Sequence, residues 1–516
     1  MKKYALAACA AAALAAAGCG EQPGGPAPDS SVQPSQVDSA ELRSLVTDEQ
    51  VRRFYSARGW QAAWTGEAAA GLVEALDQSH RHGLDPRRFK SGLDDAADPT
   101  AREAALSKAA FAYAGALADG LADPGALFEI HTLPRSRADV AAGLSAALEN
   151  GDVRGWLAGL APQDEEYRAL SDAFLHYSRL AAQERAQAIG AGEAIEPGDR
   201  DPRVAAIVAA LRANDYLPAP QSEGEGQKQA GPEPTLYTPA IAAAVRRLQQ
   251  DYGLEPDGVV GSDTLAALNA GAADRARQLA VNLERRRWLD RRPPETRIDV
   301  NTAAALLDYW HDGSHRDHRR VVVGQPGWET PELGSPIFRL VANPTWTVPR
   351  SIEEEEIAPK GAAYMRRNNM VRRDGMIVQL PGPDNALGQV KLDMRNDQAI
   401  YLHDTPAKAL FGRNQRHSSH GCVRVADALG FARMLAAADG KSEEFERALA
   451  TGEETFVALE RQVPVRLLYH SVFVDRAGNL AFRTDPYGWD DRVAQALGLA
   501  ARDPRTLPRH VGDIGP

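Results

Sequence analysis

The chain has 516 residues, and its 59 Lys and Arg against 70 Asp and Glu give a net charge of -11 at pH 7. An acidic balance of this kind argues against nucleic acid as the partner. The length suits roughly three domains once a leader and a tether are set aside. Beyond residue 20, no apolar stretch reaches the length of about 20 residues that a membrane-spanning helix needs.

The first 19 residues have the pattern of an export signal. Lys2 and Lys3 precede an apolar run from residue 4 to residue 17, which is shorter than the roughly 20 residues that span a bilayer. The residues before Cys19 resemble a lipoprotein processing site, at which the cysteine is lipidated and becomes the new N-terminus. We therefore predict a lipoprotein-type signal peptide over 1–19, with Cys19 as the lipidation site.

Two details refine this interpretation. Ala16 replaces the leucine that is usual three places before such a cysteine, so ordinary cleavage without lipid is an alternative. The residue after the cysteine is Gly20 rather than an aspartate, which by resemblance suggests sorting to the outer membrane. Residues 20–37 are mostly Pro, Gly, Ser and Gln, a composition typical of a flexible tether. The predicted location is the periplasm, on a lipid anchor in the outer membrane and in association with the cell wall.

Residues 38–198 are rich in alanine and carry apolar side chains at helical spacing. Leu72 and Leu76 form one such pair, and Trp60 and Trp64 also lie four residues apart. Stripes of this kind usually pack into a core rather than carry chemistry. The segment is predicted to be an N-terminal helical scaffold domain.

Residues 199–271 are predicted to form a small second domain. Two candidate helices, 202–213 and 239–252, are separated by a loop over 218–234 that is rich in Gly, Glu, Gln and Pro. The segment after the second helix, Asp257-Gly258-Val259-Val260-Gly261, resembles the turn of the small three-helix peptidoglycan-binding domain. The resemblance implies binding to the cell wall, although the glycines themselves need only supply turns.

Residues 272–516 change in texture, because runs of β-branched residues replace the alanine-rich helices. The candidate strands are 297–301, 319–323, 338–342, 390–393, 399–403 and 465–474. Residues 352–389 are more polar and are predicted to form a helical cap inserted into this region. The whole chain is therefore predicted to be a multidomain α+β protein whose C-terminal domain is mostly β.

The most informative residues are His403 and Cys422. Cys9 and Cys19 lie in the export signal, which leaves Cys422 alone in the mature domain, without a disulfide partner. A thiol is a useful nucleophile only as thiolate, and an imidazole within hydrogen-bond reach can take its proton and later return it to a leaving amine. The pair therefore indicates acyl transfer.

Two other interpretations were weighed for this cysteine. The first is a buried, inert thiol, which flanking glycine and histidine disfavour. The second is zinc, because His403, His417 and His420 together with Cys422 are ligand types that zinc accepts. The spacing lacks a paired Cys-x-x-Cys or His-x-x-x-His element, so we expect no metal and no other cofactor.

Basic residues surround the cysteine in the sequence: Lys408, Arg413, Arg416 and Arg424. A positive field at this position favours the thiolate and attracts carboxylates. A solvated basic loop is the alternative for Lys408, Arg413 and Arg416 taken singly.

Ser419-His420-Gly421-Cys422, preceded at a suitable distance by Tyr401-Leu402-His403, resembles the signature of the L,D-transpeptidase catalytic domain. The likeness to the large periplasmic branch of that family extends over nearly all of the mature chain. The resemblance implies Cys422 as nucleophile, His403 as base oriented by the Asp404 carbonyl, and backbone N–H groups near Gly421 as oxyanion donors. The full set of implied site residues is Cys422, His403, His420 and Gly421 for catalysis and Arg424, Ser419, Tyr401, Asn343 and Trp346 for substrate binding.

The implied activity is the formation of 3-3 crosslinks between peptidoglycan stem peptides through a thioester acyl-enzyme. Three alternatives stay open: an L,D-carboxypeptidase that hydrolyses the same thioester, an enzyme that attaches a lipoprotein to peptidoglycan, and a non-catalytic wall-anchoring lipoprotein. The expected partners are a donor tetrapeptide and an acceptor amine, with no nucleic acid and with membrane contact only through the N-terminal lipid. The cap over 352–389 is expected to act as a lid that protects the thioester from water.

Overall fold

A computed structural model describes residues 37–96, 98–183, 188–218 and 234–500. The predicted signal peptide and Cys19, like all but the last residue of the predicted tether, lie outside the described residues. None of the helices in the described ranges combines the length and the apolar character needed to cross a bilayer.

The N-terminal region is helical, as predicted. Its helices are α1 (Ser39–Leu45), α2 (Glu49–Ala57), α3 (Gly66–Asp77), α4 (Pro86–Lys90), α5 (Pro99–Asp119), α6 (Pro124–Leu127), α7 (Val140–Glu149), α8 (Val153–Leu160) and α9 (Glu165–Gln183), with a 3-10 turn at Gln78–His82. Most of these helices begin at an aspartate whose carboxylate accepts hydrogen bonds from N–H groups of the first turn, as at Asp38, Asp48 and Asp98. Aspartate capping therefore defines where these helices start.

One predicted stripe of this region is not helical. Trp60 has a φ of 65° and follows the end of α2, and Trp64 precedes the start of α3. The preceding Gly59, at a φ of 63°, leaves the helix in the left-handed region that favours glycine. Both rings still serve the core, because Trp60 is buried and the Trp64 indole donates to Ser107 Oγ at 2.8 Å. The four-residue spacing was therefore read correctly as core and wrongly as helix.

The second domain contains the two helices predicted for it. Its helices are α10 (Val204–Ala213), α11 (Pro239–Asp251) and α12 (Ser262–Leu268). The glycine turn after α11 is organised by the buried Gln249 amide, which donates to the Asp257 carboxylate at 2.8 Å and accepts from Gly258 N–H at 2.9 Å. The hydroxyl of Tyr237 donates to the Gly258 carbonyl at 2.7 Å, so both sides of this turn are fixed.

Helix α13 (Ala272–Trp288) belongs to the helical core rather than to the sheet that follows it. Leu279, Leu283 and Trp288 are buried in the same apolar cluster as the scaffold helices, so the catalytic domain predicted to start at residue 272 shares this helix with the scaffold. The arginines of this helix would suggest an exposed helix from the sequence, although several of them are buried. Arg287, for example, is buried and donates to the Glu284 carboxylate at 2.6 Å.

Arg275 of α13 lies among four aromatic rings that come from different parts of the chain. Its guanidinium lies 5.3 Å from the ring centroid of Tyr177 in α9, and 5.5 Å from the centroids of both Tyr216 and Tyr252 in the second domain. Phe482, near the C-terminal end, contributes the fourth ring at 5.1 Å. Arg275 also donates a hydrogen bond to the Tyr177 hydroxyl at 3.0 Å.

The C-terminal region is built on a large sheet. Its strands and helices are β1 (Arg297–Asn301), β2 (Leu306–His311), β3 (Ser314–Gly324), β4 (Leu333–Ala342), β5 (Trp346–Thr347), α14 (Arg350–Ile352), α15 (Gly361–Arg367), β6 (Met370–Arg373), β7 (Met376–Gln379), β8 (Val390–Met394), β9 (Leu402–His403), β10 (His417–Ser419), β11 (Val423–Val425), α16 (Ala428–Ala438), α17 (Ser442–Ala450), β12 (Thr455–Leu468), β13 (Val472–Val474), β14 (Leu480–Phe482) and α18 (Trp489–Ala496). The predicted strand 297–301 is reproduced, whereas the predicted strand 465–474 is divided between β12 and β13.

The main sheet has the order β10-β3-β11-β9-β8-β4-β12-β1-β2, and β2 also pairs with β3. Eight of these strands therefore form a closed ring, with β10 attached to β3. The alternation along β1, where Ile298 and Val300 are buried, places one face of each strand in the apolar core. Helix α16 covers that core with Phe431 and Leu435.

The predicted cap is present but is only partly helical. After α14 it continues as a π-helical turn (Glu353–Ile357), a 3-10 turn (Ala358–Lys360) and α15. Strand β7 then pairs with β5 on one side and with β6 on the other, in a separate three-stranded sheet. The cap has its own apolar cluster, which includes Trp346 and Ile377. A β-hairpin of four-residue strands in a polar segment gives too short an alternation to be recognised in the sequence.

Candidate active site

The predicted nucleophile and base lie on adjacent parallel strands. In the pairing of β9 with β11, Leu402 lies opposite Val423 and His403 opposite Arg424. Residues two apart on a strand share a face, so Cys422, just before β11, lies on the same face as His403. Strand β8 joins the same row, because Lys391 lies opposite His403 on its other side.

Cys422 is buried, with 5% of its surface exposed, and is in no disulfide. Tyr401 contributes two hydrogen bonds to the sulfur, one through its hydroxyl and one through its main chain, and the thiol itself lies 3.6 Å from the Ala399 carbonyl. Burial raises the pKa of the Cys422 thiol to about 11, which outweighs the opposing effects of Tyr401 and of the charges on Lys391 and Arg424. In this conformation the cysteine is therefore a protected, neutral thiol.

His403 is fully buried, and its ring orientation is fixed by a main-chain contact. Its Nδ1 lies 2.5 Å from the carbonyl oxygen of Asp404, as the resemblance implied. A carbonyl can only accept, so Nδ1 carries the proton and a neutral His403 presents Nε2 as its basic nitrogen. The ring of Tyr401 packs edge-on against the imidazole, with centroids 5.6 Å apart.

The turn that carries Cys422 is held by Ser419. The Ser419 hydroxyl donates to the Cys422 carbonyl at 2.6 Å and accepts from the Gly421 N–H at 3.2 Å. Gly421 has a φ of 110°, a conformation that side chains rarely adopt. Ser419, predicted to bind substrate, thus shapes the turn, and the Gly421 N–H predicted as an oxyanion donor is engaged by Ser419 in this conformation.

His420 connects the catalytic turn to the cap. Its Nε2 lies 2.7 Å from Glu356 Oε1, and its ring packs edge-on against Trp328 with centroids 5.1 Å apart. Glu356 belongs to the π-helical turn of the cap. Tyr401 makes a second connection, because its ring packs against the cap's apolar cluster. The cap therefore contacts both His420 and Tyr401.

The basic residues predicted to create a positive field have mostly other roles. Lys408 forms an ion pair with the Asp404 carboxylate, and the buried Arg416 donates to main-chain carbonyls, including that of Val321 at 3.1 Å. Of the four, only Arg424 is among the groups that lower the pKa of Cys422, and Lys391 contributes alongside it. For Lys408 and Arg416 these contacts favour the alternative interpretation, in which the basic side chains serve other partners than the sulfur, and for Arg413 the positive field stays a prediction.

Two predicted substrate-binding residues have structural contacts away from the thiol. The Asn343 amide donates to the carbonyls of Ala448 and Leu449, at 3.2 and 3.1 Å, and so caps the end of α17. Trp346 is buried in the core of the cap. His417, weighed as a zinc ligand, instead bonds the Thr302 carbonyl at 2.9 Å.

Two further residues of the site were not predictable from the sequence. Lys391 lies opposite His403, with its ammonium 4.3 Å from the Tyr401 ring centroid and 2.7 Å from the Asp393 carboxylate. The alternation of Lys391 and Asp393 on a strand was visible in the sequence, but the pairing of β8 with β9 was not. Glu356 gave no signal at all, because its run of four glutamates looks like a solvated surface.

Comparisons with known families agree with this architecture. Residues 295–452 match the model of the L,D-transpeptidase catalytic domain, residues 49–174 match that of a scaffold domain, and residues 200–268 match that of a "Putative peptidoglycan binding domain". The chain thus combines an L,D-transpeptidase catalytic domain with a scaffold domain and a peptidoglycan-binding domain.

Individual relatives cover only parts of the chain. A protein of Haemophilus influenzae named "Putative L,D-transpeptidase" is 31% identical over 243 residues, which are 42% of this chain and 48% of that protein. The alignment thus spans about half the length of this curated relative. Among solved structures, an L,D-transpeptidase from Xylanimonas cellulosilytica is 16% identical over 54% of this chain and 98% of its own, with a TM-score of 0.19. An L,D-transpeptidase from Mycobacterium smegmatis is 11% identical over 34% of this chain and 58% of its own, with a TM-score of 0.21.

Proposed function

We propose that this protein is an L,D-transpeptidase that forms 3-3 crosslinks in peptidoglycan, with Cys422 as nucleophile and His403 as general base. The observation that carries the proposal is the site itself. A buried thiol and a buried imidazole lie on one face of adjacent strands, and the Asp404 carbonyl fixes the tautomer in which His403 can accept a proton.

In the proposed reaction, His403 Nε2 takes the Cys422 proton as the sulfur attacks the carbonyl of the third residue of a donor tetrapeptide. The C–N bond to the terminal D-alanine breaks, and the imidazolium returns the proton to the leaving amine, which leaves a thioester on Cys422. The side-chain amine of a second stem peptide then attacks the thioester and regenerates the thiol. The thioester conserves the free energy of the broken peptide bond, so no ATP is required.

The raised pKa of Cys422 fits this scheme. A thiol with a pKa of about 11 is neutral at pH 7, and a neutral, buried thiol is a poor target for oxidants in an export compartment. The thiolate then forms only as the substrate brings a carbonyl to the sulfur and His403 takes the proton. We also propose that the protein lies in the periplasm, that Cys19 carries a lipid anchor, and that the activity maintains the cell wall and the cell shape.

The cap supports crosslinking rather than hydrolysis as the proposed reaction. Its contact with the catalytic turn through Glu356 and His420 supports a lid that keeps water from the thioester while the acceptor amine binds. An L,D-carboxypeptidase needs no such protection, because water is its second substrate. Attachment of a lipoprotein would use the same acyl-enzyme with a protein amine as acceptor.

The test is incubation of the mature protein with disaccharide tetrapeptides, followed by mass spectrometry of the products. We expect 3-3 linked dimers and free D-alanine, and we expect neither from Cys422→Ala. His403→Ala should slow the reaction far more than His417→Gln, a control variant of a histidine that bonds the Thr302 carbonyl and has no part in the proposed reaction. Wild-type activity in Cys422→Ala would overturn the mechanism, and tripeptide without dimer would favour the carboxypeptidase.

A further inference from the structure

A cluster of three metal-ligand side chains lies on the hairpin of β2 and β3, apart from the Cys422 site. Asp308 comes from β2, and His315 and His318 come from β3. His315 Nε2 lies 2.7 Å and His318 Nδ1 lies 2.8 Å from the same oxygen, Asp308 Oδ1. The candidate ligand atoms of the three residues all lie within 4.8 Å of one another.

A β-bulge is what brings the two histidines together. Asp308 pairs with His318 and Trp310 pairs with His315, and the register shifts between these two pairs so that Arg316 is the extra residue. In a regular strand, residues three apart point to opposite faces. The bulge therefore turns His315 and His318 to one face, and bulges of this kind commonly re-aim a side chain near a site.

The neighbouring arginines are engaged by another carboxylate and not by Asp308. Across the sheet, Asp299 lies directly opposite Asp308, but its carboxylate is already engaged by Arg466, at 2.6 Å, and by Arg297, at 2.8 Å. The Asp308 carboxylate instead faces the two imidazoles. Its side chain is 33% exposed, so it is partly desolvated and still reachable from outside.

The cluster opens on a cleft of about 920 Å³ between the scaffold and the sheet. Asp308 and His315 line it together with Asp164 and Glu166 of the scaffold side, and neither Cys422 nor His403 does. A cation held by the three side chains would therefore keep one coordination position directed at this cleft, where water can complete the shell. Three protein ligands with one open position is a common arrangement for zinc.

We propose that Asp308, His315 and His318 form a binding site for a divalent transition metal of the zinc class. Zinc takes two imidazole nitrogens and a carboxylate oxygen at about 2.0–2.2 Å, which sets tetrahedral ligand atoms about 3.3 Å apart. Reaching that spacing requires the imidazoles to withdraw from Asp308 Oδ1 by about 0.5 Å, and each then presents a lone pair in place of an N–H. This site is independent of the proposed transpeptidase reaction.

The test uses the full mature chain with Cys422→Ser in every sample, because the native thiol is itself a zinc ligand. Zinc is titrated into chelator-treated protein by calorimetry. We expect one equivalent to bind, with the affinity reduced at least about 100-fold by Asp308→Asn or His318→Gln, since even indirect partners of a metal are worth about 10- to 100-fold. The matched control is His311→Gln, which changes a histidine of the same hairpin that lies outside the cluster and should leave the affinity unchanged.

Thermal unfolding of each variant without metal checks that a loss of binding is not a loss of fold. A crystal of the parent protein soaked in zinc adds a test that needs no variant, because anomalous scattering at the zinc edge locates the ion. A peak between the three side chains is expected. The proposal would be overturned if the parent protein did not bind zinc, or if Asp308→Asn and His318→Gln bound zinc as tightly as the parent. An anomalous peak at another place in the crystal would also overturn it.

Discussion

Replacing Tyr401 by phenylalanine removes the hydroxyl that hydrogen-bonds the Cys422 sulfur and keeps the ring. The aromatic contacts with His403, at 5.6 Å, and with Lys391, at 4.3 Å, are retained. At neutral pH the cysteine is a neutral thiol, so the folded ground state loses little. The thiolate, which forms during the attack on substrate, loses one of its two hydrogen bonds from Tyr401.

The magnitude follows from the strength of that bond. A hydrogen bond to a charged group is worth about 1.5–3 kcal/mol, and the lower end applies to a large, polarisable sulfur. A loss of about 1.5 kcal/mol corresponds to roughly a tenfold slower acylation and to a further rise of about one unit in the pKa of Cys422. The effect should therefore appear in both the rate and the pH profile.

The assay is alkylation of Cys422 by a neutral reagent across pH 6 to 10, together with the rate of acylation by substrate. With a pKa of about 11, the wild-type alkylation rate should rise about tenfold per pH unit without reaching a plateau in this range. Tyr401→Phe should lie about tenfold below it. Tyr309→Phe, which removes a buried hydroxyl from the β2 strand, is the matched control. Equal rates for Tyr401→Phe and wild type, with both folded, would refute the role of the hydroxyl.

Three further predictions concern other parts of the molecule. A carbapenem should acylate Cys422, since its strained carbonyl can occupy the position of the scissile carbonyl; intact-protein mass should rise by the mass of the drug, and an unchanged mass would argue against the assignment. Glu356→Gln removes the charged contact with His420, and trimming residues 352–389 to a short Gly/Ser linker removes the proposed lid. Both changes should shift the products from dimers towards tripeptide while acylation of Cys422 persists. An unchanged dimer-to-tripeptide ratio would contradict the lid role. Burial raises the pKa of Glu332 from its ordinary 4.5 to about 7, so the folded protein holds a proton that the unfolded chain releases, and stability falls as pH rises through that window. Glu332→Gln should flatten this fall in denaturant titrations at pH 4.5 and 7, and an unaltered slope would show that Glu332 does not cause it.

The sequence was most informative where chemistry and local pattern coincide. His403 and Cys422 were predicted as partners because few other arrangements give a lone thiol and an imidazole a use, and the helical character of the scaffold followed from its spacing. Residues whose role depends on distant pairing were missed. Lys391 reaches the site only because β8 pairs with β9, and Glu356 only because the cap folds back on the catalytic turn.

The burial of the charged side chains of α13 was the other feature that the sequence did not reveal. The arginines of α13 suggest a surface helix when read along the chain, yet each finds an acidic or aromatic partner that is remote in sequence, and the helix lies inside the scaffold. The predicted boundary at residue 272 coincides with the start of this helix and stays a prediction. Propensity and spacing report local preferences, and a charge satisfied across domains leaves no local trace.

The aromatic surroundings of Arg275 have a consequence for reach. The rings of Tyr177, Tyr216, Tyr252 and Phe482 all contact the same guanidinium. Arg275 therefore joins the scaffold, the peptidoglycan-binding domain and the C-terminal end of the catalytic domain. Each such contact is worth about 0.5–2 kcal/mol, so swinging one domain away would break several at once. Under the proposed function, a protein fastened in this way would hold Cys422 at a fixed distance from the point where the peptidoglycan-binding domain contacts the cell wall.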